Sequence, residues 1–198
     1  MAPGEWTFLL DPGWMPAGPG RQPPVAAVVG GWFVPGDGGV SLFRPNPGYR
    51  PSRPGLPTDP VDEALHRLVF GGGDGEELLT ALPEVLFGLA VTANSAPVVA
   101  PAPDGVPSML VVTAPVHRDR VRSPGWRRAT IAELAGTLPS EGVDVLLNPG
   151  APASIRLTAG AIREVGAPGP GAVVTVRPDD SDFWADDVFS APAPGQGG

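Results

Sequence analysis

The residue types that most often perform catalysis are scarce in this sequence. His66 and His117 stand 51 positions apart, without the close spacing of a metal-binding pair. No Ser lies in a Gly-x-Ser-x-Gly motif, so the turn that exposes a serine nucleophile is missing. The chain has no Cys and all 13 basic residues are Arg, which excludes thiolate catalysis, lysine imines and Walker-type nucleotide hydrolysis. We therefore predict a protein that is not an enzyme and that needs no cofactor or metal ion.

Two further patterns resemble functional motifs but have simpler structural interpretations. The acidic pairs Asp62-Glu63 and Glu76-Glu77 fall in the first turns of predicted helices, where they complement the helix dipole. The run from Gly71 to Gly75 precedes a helix, as a phosphate loop would. However, it follows a helix rather than a strand, and the acidic residues after it would repel an anion. We predict that it connects two helices.

An acidic, aromatic tail is the most suggestive pattern for binding. Residues 178–198 carry five Asp and no base, and the aspartates surround Phe183, Trp184 and Phe189. Exposed aromatic side chains in an acidic segment can anchor it in the groove of a partner protein. Alternatively, the same aromatic residues pack back on the protein's own domain. We expect the tail to be partly disordered, because Pro and Gly recur at its end.

Basic residues are concentrated in one short stretch of the chain. Its five members are Arg118, Arg120, Arg122, Arg127 and Arg128. One interpretation is a solvated loop, and the other is a docking surface for an acidic segment, either of a partner or of the chain's own tail.

Composition divides the chain into three parts. The 28 Gly and 28 Pro of the 198 residues are concentrated outside a central stretch. We predict a Pro/Gly-rich arm with short strands over residues 1–57, which packs on the main domain, an α+β domain over 58–177, and the acidic tail over 178–198. The net charge of −8 argues against nucleic acid as a partner. No apolar run is long enough to span a bilayer, and the first residues lack a basic signal region, so we expect a cytoplasmic protein.

The pattern of apolar residues, turns and caps predicts the elements of this domain. The fold class is α+β, with a mostly antiparallel or mixed sheet and three to four helices packed on it. In the arm, Trp6–Leu10 and a hairpin of Val25–Val34 with Val40–Phe43 are the predicted strands, and Arg44–Pro57 is a predicted extended surface segment. Helices are predicted to begin at Thr58-Asp59-Pro60, Glu76, Pro115, Thr130 and Thr158. Strands are predicted at Leu89–Thr92, Pro97–Ala100, Ser108–Thr113, Trp126–Ala129, Val143–Leu147, Ser154–Leu157 and Ala172–Val176, with the first three as a meander.

The stretch from Val61 to Val165 resembles the SseB N-terminal domain. The resemblance is carried by the segments Val106–Thr113, Thr130–Leu134, Asp144–Gly150 and Ile155–Leu157. The arm resembles actinobacterial proteins associated with type VII secretion, in Trp6–Pro12, Val28–Trp32 and Phe43–Ser52. The resemblance implies a non-enzymatic cytoplasmic accessory protein whose protein partner is a component of the secretion system. It implies no catalytic residue.

Three exposed features are the candidate partner-binding sites. They are the Asn148-Pro149-Gly150 turn, Tyr49 and Arg50 of the arm, and Phe183, Trp184 and Phe189 of the tail. Two other functions remain open. An acidic surface would suit an immunity or inhibitor protein that neutralises a basic toxin. A hydrolase or small-molecule sensor would need a polar pocket around His66 or His117.

Overall fold

A computed structural model describes residues 5–34 and 41–167 of the chain. Its architecture is α+β, as predicted. Within these ranges there are four α-helices, and nine strands form two sheets, one of them mixed. The turn at 35–39, the predicted strand Ala172–Val176 and the acidic tail lie outside the described residues.

The strands follow each other along the chain with helices between them. They are β1 (Glu5–Leu10), β2 (Val28–Val34), β3 (Arg44–Pro45), β4 (Phe87–Val91), β5 (Val99–Pro101), β6 (Pro107–Val112), β7 (Gly125–Ala129), β8 (Asp144–Leu147) and β9 (Ile155–Leu157). The α-helices are α1 (Pro60–Phe70), α2 (Gly75–Ala81), α3 (Ile131–Thr137) and α4 (Ala159–Gly166). Within the described residues, three 3-10 helices cover Val25–Ala27, Leu82–Glu84 and Pro115–Arg120.

The three-stranded sheet of the arm is antiparallel, with the order β1-β2-β3. The predicted hairpin strand Val40–Phe43 is displaced along the chain, because the strand that pairs with Gly30 and Gly31 is Arg44–Pro45. Phe43 turns inward and is fully buried. A β-carbon on Gly30 would overlap its ring, so this close approach requires glycine.

The six-stranded sheet is mixed, with the order β7-β4-β6-β8-β9. β6 and β8 are parallel, while β4 pairs antiparallel with both β6 and β7. The predicted meander is only partly correct. β5 does not form the middle strand, because β4 pairs with the end of β6 and β5 pairs with its beginning.

All four α-helices contribute side chains to a single core on one face of this sheet. Val61 and Leu65 of α1, Leu78 of α2, Leu134 of α3 and Ile162 of α4 are all buried there. The strands supply alternate residues to the same core, since neighbouring side chains of a strand point to opposite faces. Phe43 and Tyr49 belong to it as well, so the arm and the domain share one hydrophobic core.

The helix ends are where their capping residues predict. Asp59 caps α1 by accepting from the amides of Val61 and Asp62, and Gly71 ends the helix at φ 88°. Thr130 and Glu133 form the predicted capping box of α3. No helix in the described ranges has the length and apolar character needed to cross a bilayer.

The arm segment that follows β3 is not the extended surface segment that was predicted. Tyr49 is only 2% exposed, and its hydroxyl donates to Asp11 Oδ2 at 2.8 Å. The amide and hydroxyl of Ser52 and the amide of Gly13 donate to the same carboxylate. Burial raises the pKa of Asp11, but these hydrogen bonds outweigh it and lower the pKa to about 2. Repeated Pro favours extended backbone, yet here a buried polar cluster decides where the segment lies.

Candidate functional site

The ends of the two parallel strands hold a buried polar network. Thr113 follows β6 and Asn148 follows β8, and parallel strands bring these two ends together. Asn148 is fully buried, and its Oδ1 accepts from the Thr113 amide at 2.9 Å. Its Nδ2 donates to Asp62 Oδ1 at 3.0 Å. Asn148 also adopts φ 47°, a left-handed conformation that Asn tolerates better than most residues. The Asn therefore fixes both the exit turn of β8 and its contact with α1.

The first turn of α1 supplies the acidic part of the network. Asp59 and Asp62 are each 1% exposed. Asp62 Oδ2 accepts from the Thr58 amide at 3.0 Å, while Asp59 accepts from the Thr58 hydroxyl at 2.9 Å. Two carboxylates this close and this buried are costly unless polar groups surround them. Here the helix amides, Thr58 and Asn148 provide that environment.

His117 closes the network from the 3-10 helix Pro115–Arg120. Its ring is 5% exposed. Nδ1 lies 3.2 Å from Arg120 Nη1, which can only donate, so Nδ1 accepts and the ring proton is on Nε2. Nε2 lies 3.0 Å from the Thr58 hydroxyl and 3.5 Å from Asp62 Oδ1. A continuous path of polar contacts thus runs from Arg120 at the surface to Asp62 in the interior.

The pKa values of the two carboxyl groups in the network are shifted in opposite directions. Burial and the neighbouring charge of Asp62 raise the pKa of Asp59 to about 6. Burial also acts to raise the pKa of Asp62, but interactions with His117 and the Thr58 amide lower it overall. Asp62 is therefore the group that stays ionised, and Asp59 is the group that takes up a proton first.

A histidine beside a carboxylate is also the arrangement of a general base. In this network Nε2 of His117 points inward to Thr58, and Nδ1 is held by Arg120. Both nitrogens are engaged and the ring is buried, so a substrate would have to displace these contacts to reach it. As it stands, the network can hold the 3-10 helix and the β8 turn in a fixed relation.

That relation brings two exposed features together at the surface. Gly150 has φ 73°, and a β-carbon placed on it would lie 3.6 Å from Cβ of Arg120. Arg120 itself is exposed. We call Arg120 and Gly150 the turn surface. In the arm, Tyr49 is buried and its neighbour Arg50 is exposed. Burial, the hydrogen bond to Asp11 and the negative charges of Asp11 and Asp62 raise the pKa of Tyr49.

The predicted partner-binding residues divide into three groups. Asn148, Pro149 and Tyr49 are buried, and the first two directly precede Gly150 of the turn surface. Gly150 is exposed on the turn surface, and Arg50 is exposed in the arm. Phe183, Trp184 and Phe189 lie outside the described residues.

The five clustered arginines do not form one surface. Arg127 and Arg128 are neighbours on β7, so their side chains point to opposite faces of the sheet. Arg127 lies opposite Leu89 on the helix-covered face and donates to Thr137, at the end of α3. Arg118 lies over the ring of Trp126, with 5.2 Å between its Cζ and the ring centroid, on the other face. Arg120 belongs to the turn surface.

Sequence reasoning missed the network itself. Asp59 and Asp62 were interpreted only as a cap and a dipole complement, and His117 as an isolated residue near a helix start. One available signal was that Asp62 precedes the core residue Leu65 by three positions, which places both on one face of α1. The pairing with Asn148, 86 positions along the chain, has no local signal.

Comparison of the chain with models of known protein families, with curated proteins and with solved structures gave no match. The resemblance to the SseB N-terminal domain stays a prediction.

Proposed function

We propose that this protein is a non-enzymatic cytoplasmic accessory protein of type VII secretion, and that it acts by binding a protein component of the secretion system. The turn surface is the proposed contact. The observation that carries this proposal is the buried network beneath that surface, which connects Asp62 to Asn148 on one side and, through His117, to Arg120 on the other. The resemblance of the sequence to secretion-associated proteins supplies the proposed partner class.

The energetics of the network support a binding role. Burying ionisable groups destabilises a small domain unless they are paired, and apolar residues of similar size often give more stability. What the buried groups add instead is a fixed geometry for the segments they join. A fixed loop surface binds with a smaller loss of conformational entropy, so a protein that presents it gains affinity.

The charge of the turn surface indicates what it would contact. Arg120 on this surface and Arg50 in the arm are both exposed, and an arginine can bind a carboxylate with two parallel hydrogen bonds. Arg50 donates to the carbonyls of Pro47 and Tyr49, which orients its guanidinium. We propose that the secretion component presents an acidic segment here.

Co-purification from the native host tests the proposal. The full chain and an Arg50→Gln/Arg120→Gln variant would be compared with an Arg21→Gln variant, because Arg21 is exposed in a loop elsewhere in the arm. We expect secretion components to be enriched with the full chain and with Arg21→Gln, and to be lost with the double variant. Equal enrichment of all three, or no secretion component with any, would contradict the proposal.

A second candidate function is supported by an acidic cleft beside α2. This open cleft of about 490 Å³ is lined by Asp74, Glu76, Glu77, Thr80, Ala81 and Glu84. Four carboxylates at one cleft suit a basic partner, as an immunity or inhibitor protein of a basic toxin would require. Rescue of cells from a toxin encoded next to this chain, lost on Glu76→Gln/Glu84→Gln substitution, would favour this function over the first.

A further inference from the structure

One face of the six-stranded sheet carries none of the described α-helices. The residues there belong to a separate small apolar cluster, in which Ala90, Leu110 and Leu146 are buried and Trp126 is partly buried. All α-helical core residues belong instead to the cluster on the opposite face. We call this the helix-free face. Its centre is apolar and buried, and Trp126 is a partly exposed aromatic side chain beside it.

Two arginines flank this apolar centre. Arg128 is on the same face as Trp126, two positions away on β7, and lies opposite Gly88 of β4. A β-carbon on Gly88 would lie 3.4 Å from the Trp126 ring and 3.6 Å from a guanidinium nitrogen of Arg118. Burial and the positive charge of Arg128 lower the pKa of Arg118, which agrees with two cations held close together. A pair of half-buried guanidinium groups creates a positive potential that favours a carboxylate-bearing segment.

The chain itself contains a segment with the complementary composition. Residues 178–198 have five Asp and no basic residue, and Phe183, Trp184 and Phe189 lie among or beside these acids. Aspartates would face the arginines, and aromatic side chains would pack against the partly exposed Trp126.

The described chain ends near the edge of the sheet that β7 forms. Gly166, in the last turn of α4, packs against the start of α3, where a β-carbon would meet the carbonyl of Ile131 at 3.0 Å. Ile131 follows Arg128 by three residues, at most about 11 Å of extended backbone. The chain therefore continues beyond Ala167 close to the end of β7 that carries Arg128. The ten residues from 168 to 177 span up to about 33 Å when extended, which lets the chain pass around this edge of the sheet.

We propose that the acidic segment 178–198 docks on the helix-free face of its own molecule, with its aspartates at Arg118 and Arg128 and its aromatic residues at Trp126. This inference does not depend on the proposed secretion partner. An attached segment has an effective concentration in the millimolar range, so weak contacts are enough to hold it. The docking would also be released by salt, because its charged part is screened.

Electron-spin distance measurements on the full chain test the docking directly. The sequence contains no Cys, so spin labels can be placed at chosen positions without removing native thiols. One label pair would be Asp119→Cys with Ser181→Cys, since Asp119 is exposed next to Arg118. The reference pair would be Ser140→Cys with Ser181→Cys, because Ser140 is exposed beyond the end of α3. We expect a narrow, short distance population for the first pair.

Two matched substitutions decide whether the arginines cause that population. Arg128→Gln and Arg127→Gln change the same charge at neighbouring positions of β7, but on opposite faces of the sheet. We expect Arg128→Gln to abolish the narrow population and Arg127→Gln to retain it. The tail variant Asp179→Asn/Asp180→Asn/Asp182→Asn should abolish it too, without any change in the folded domain.

Three results would overturn the proposal. One is a distance from 119 to 181 as broad as the distance from 140 to 181. Another is an equal effect of Arg127→Gln and Arg128→Gln on the distance from 119 to 181, or no effect of the tail variant on that distance. The last is a short distance found only between differently labelled molecules in a mixture, which would indicate that the segment binds a second copy.

Discussion

Asn148 gives the sharpest test of how the buried network determines stability. Replacing it with Ala removes the Nδ2 donor to Asp62, a hydrogen bond to a charged group that contributes about 1.5–3 kcal/mol. It also leaves the buried amide of Thr113 without its acceptor, which costs about 1–3 kcal/mol. Alanine at φ 47° adds about 1 kcal/mol of backbone strain. Together these contributions predict that Asn148→Ala lowers the free energy of unfolding by about 3.5–7 kcal/mol.

Two companion substitutions separate these contributions. Asn148→Gly loses the same side chain but removes the strain, so it should be about 1 kcal/mol more stable than Asn148→Ala. In the native protein, Asn148 Nδ2 lies 3.0 Å from Asp62 Oδ1, and Asn148→Asp replaces this nitrogen with a carboxylate oxygen. Two carboxylates there raise the pKa of one of them in the folded state. The Asp variant should therefore be the least stable at pH 7 and should recover relative to Ala as the pH falls towards 4.

Urea unfolding followed by tryptophan fluorescence and by circular dichroism measures these differences. Asn94 is exposed in a turn, and Asn94→Ala is the control, expected to change stability by less than about 0.5 kcal/mol. The reasoning is refuted if Asn148→Ala costs under about 1 kcal/mol, or if the Ala and Asp variants show the same dependence on pH.

Three further predictions concern individual polar groups. Because the pKa of Asp59 is raised to about 6 in the folded protein, its contribution to stability falls as the pH rises from about 4 to about 6. Asp59→Asn keeps the helix cap, so this variant should be more stable than the wild type at pH 7. In urea titrations its free energy of unfolding should also depend less on pH. Tyr49→Phe removes a donor to Asp11 and should cost about 1–2 kcal/mol. Since the Asp11 pKa then rises from about 2, its stabilisation should be lost at higher pH in an acid titration. Thr130→Ala should lower stability by about 1 kcal/mol in the same urea assay, and Thr80→Ala, at an exposed position of α2, is its control.

Local signals in the sequence were sufficient for most of the elements. The Thr58-Asp59-Pro60 start, the Thr130 and Glu133 capping box and the left-handed Gly71 depend on residues within a few positions of each other. Pro83 also ends α2 early, as its missing amide requires, and the chain continues as a 3-10 turn. These features were predictable because the physical cause and its effect are neighbours in the chain.

Predictions failed where distant residues decide the structure. The sequence predicts that the Pro-rich segment after β3 is exposed to solvent. However, Tyr49 in this segment is buried, and its hydroxyl donates to Asp11, 38 positions earlier. The position of β5 depends on competition between two strands for one edge of β6. The buried network joins α1, the 3-10 helix after β6 and the turn after β8, and no short window of sequence contains all three. Asn148 is a candidate site residue in the sequence because it lies in a predicted turn and in a segment that resembles the SseB N-terminal domain. Its buried hydrogen bonds to Thr113 and Asp62 are visible only in three dimensions.

Site-specific photo-crosslinking tests the proposed function most directly. A photoreactive amino acid would replace Arg120 on the turn surface or, as a control, exposed Arg21 in the arm, in the full chain produced in its native host. We expect a component of the secretion system to be crosslinked from position 120 and not from position 21. Crosslinks to that component from both positions equally, or from neither, would contradict it.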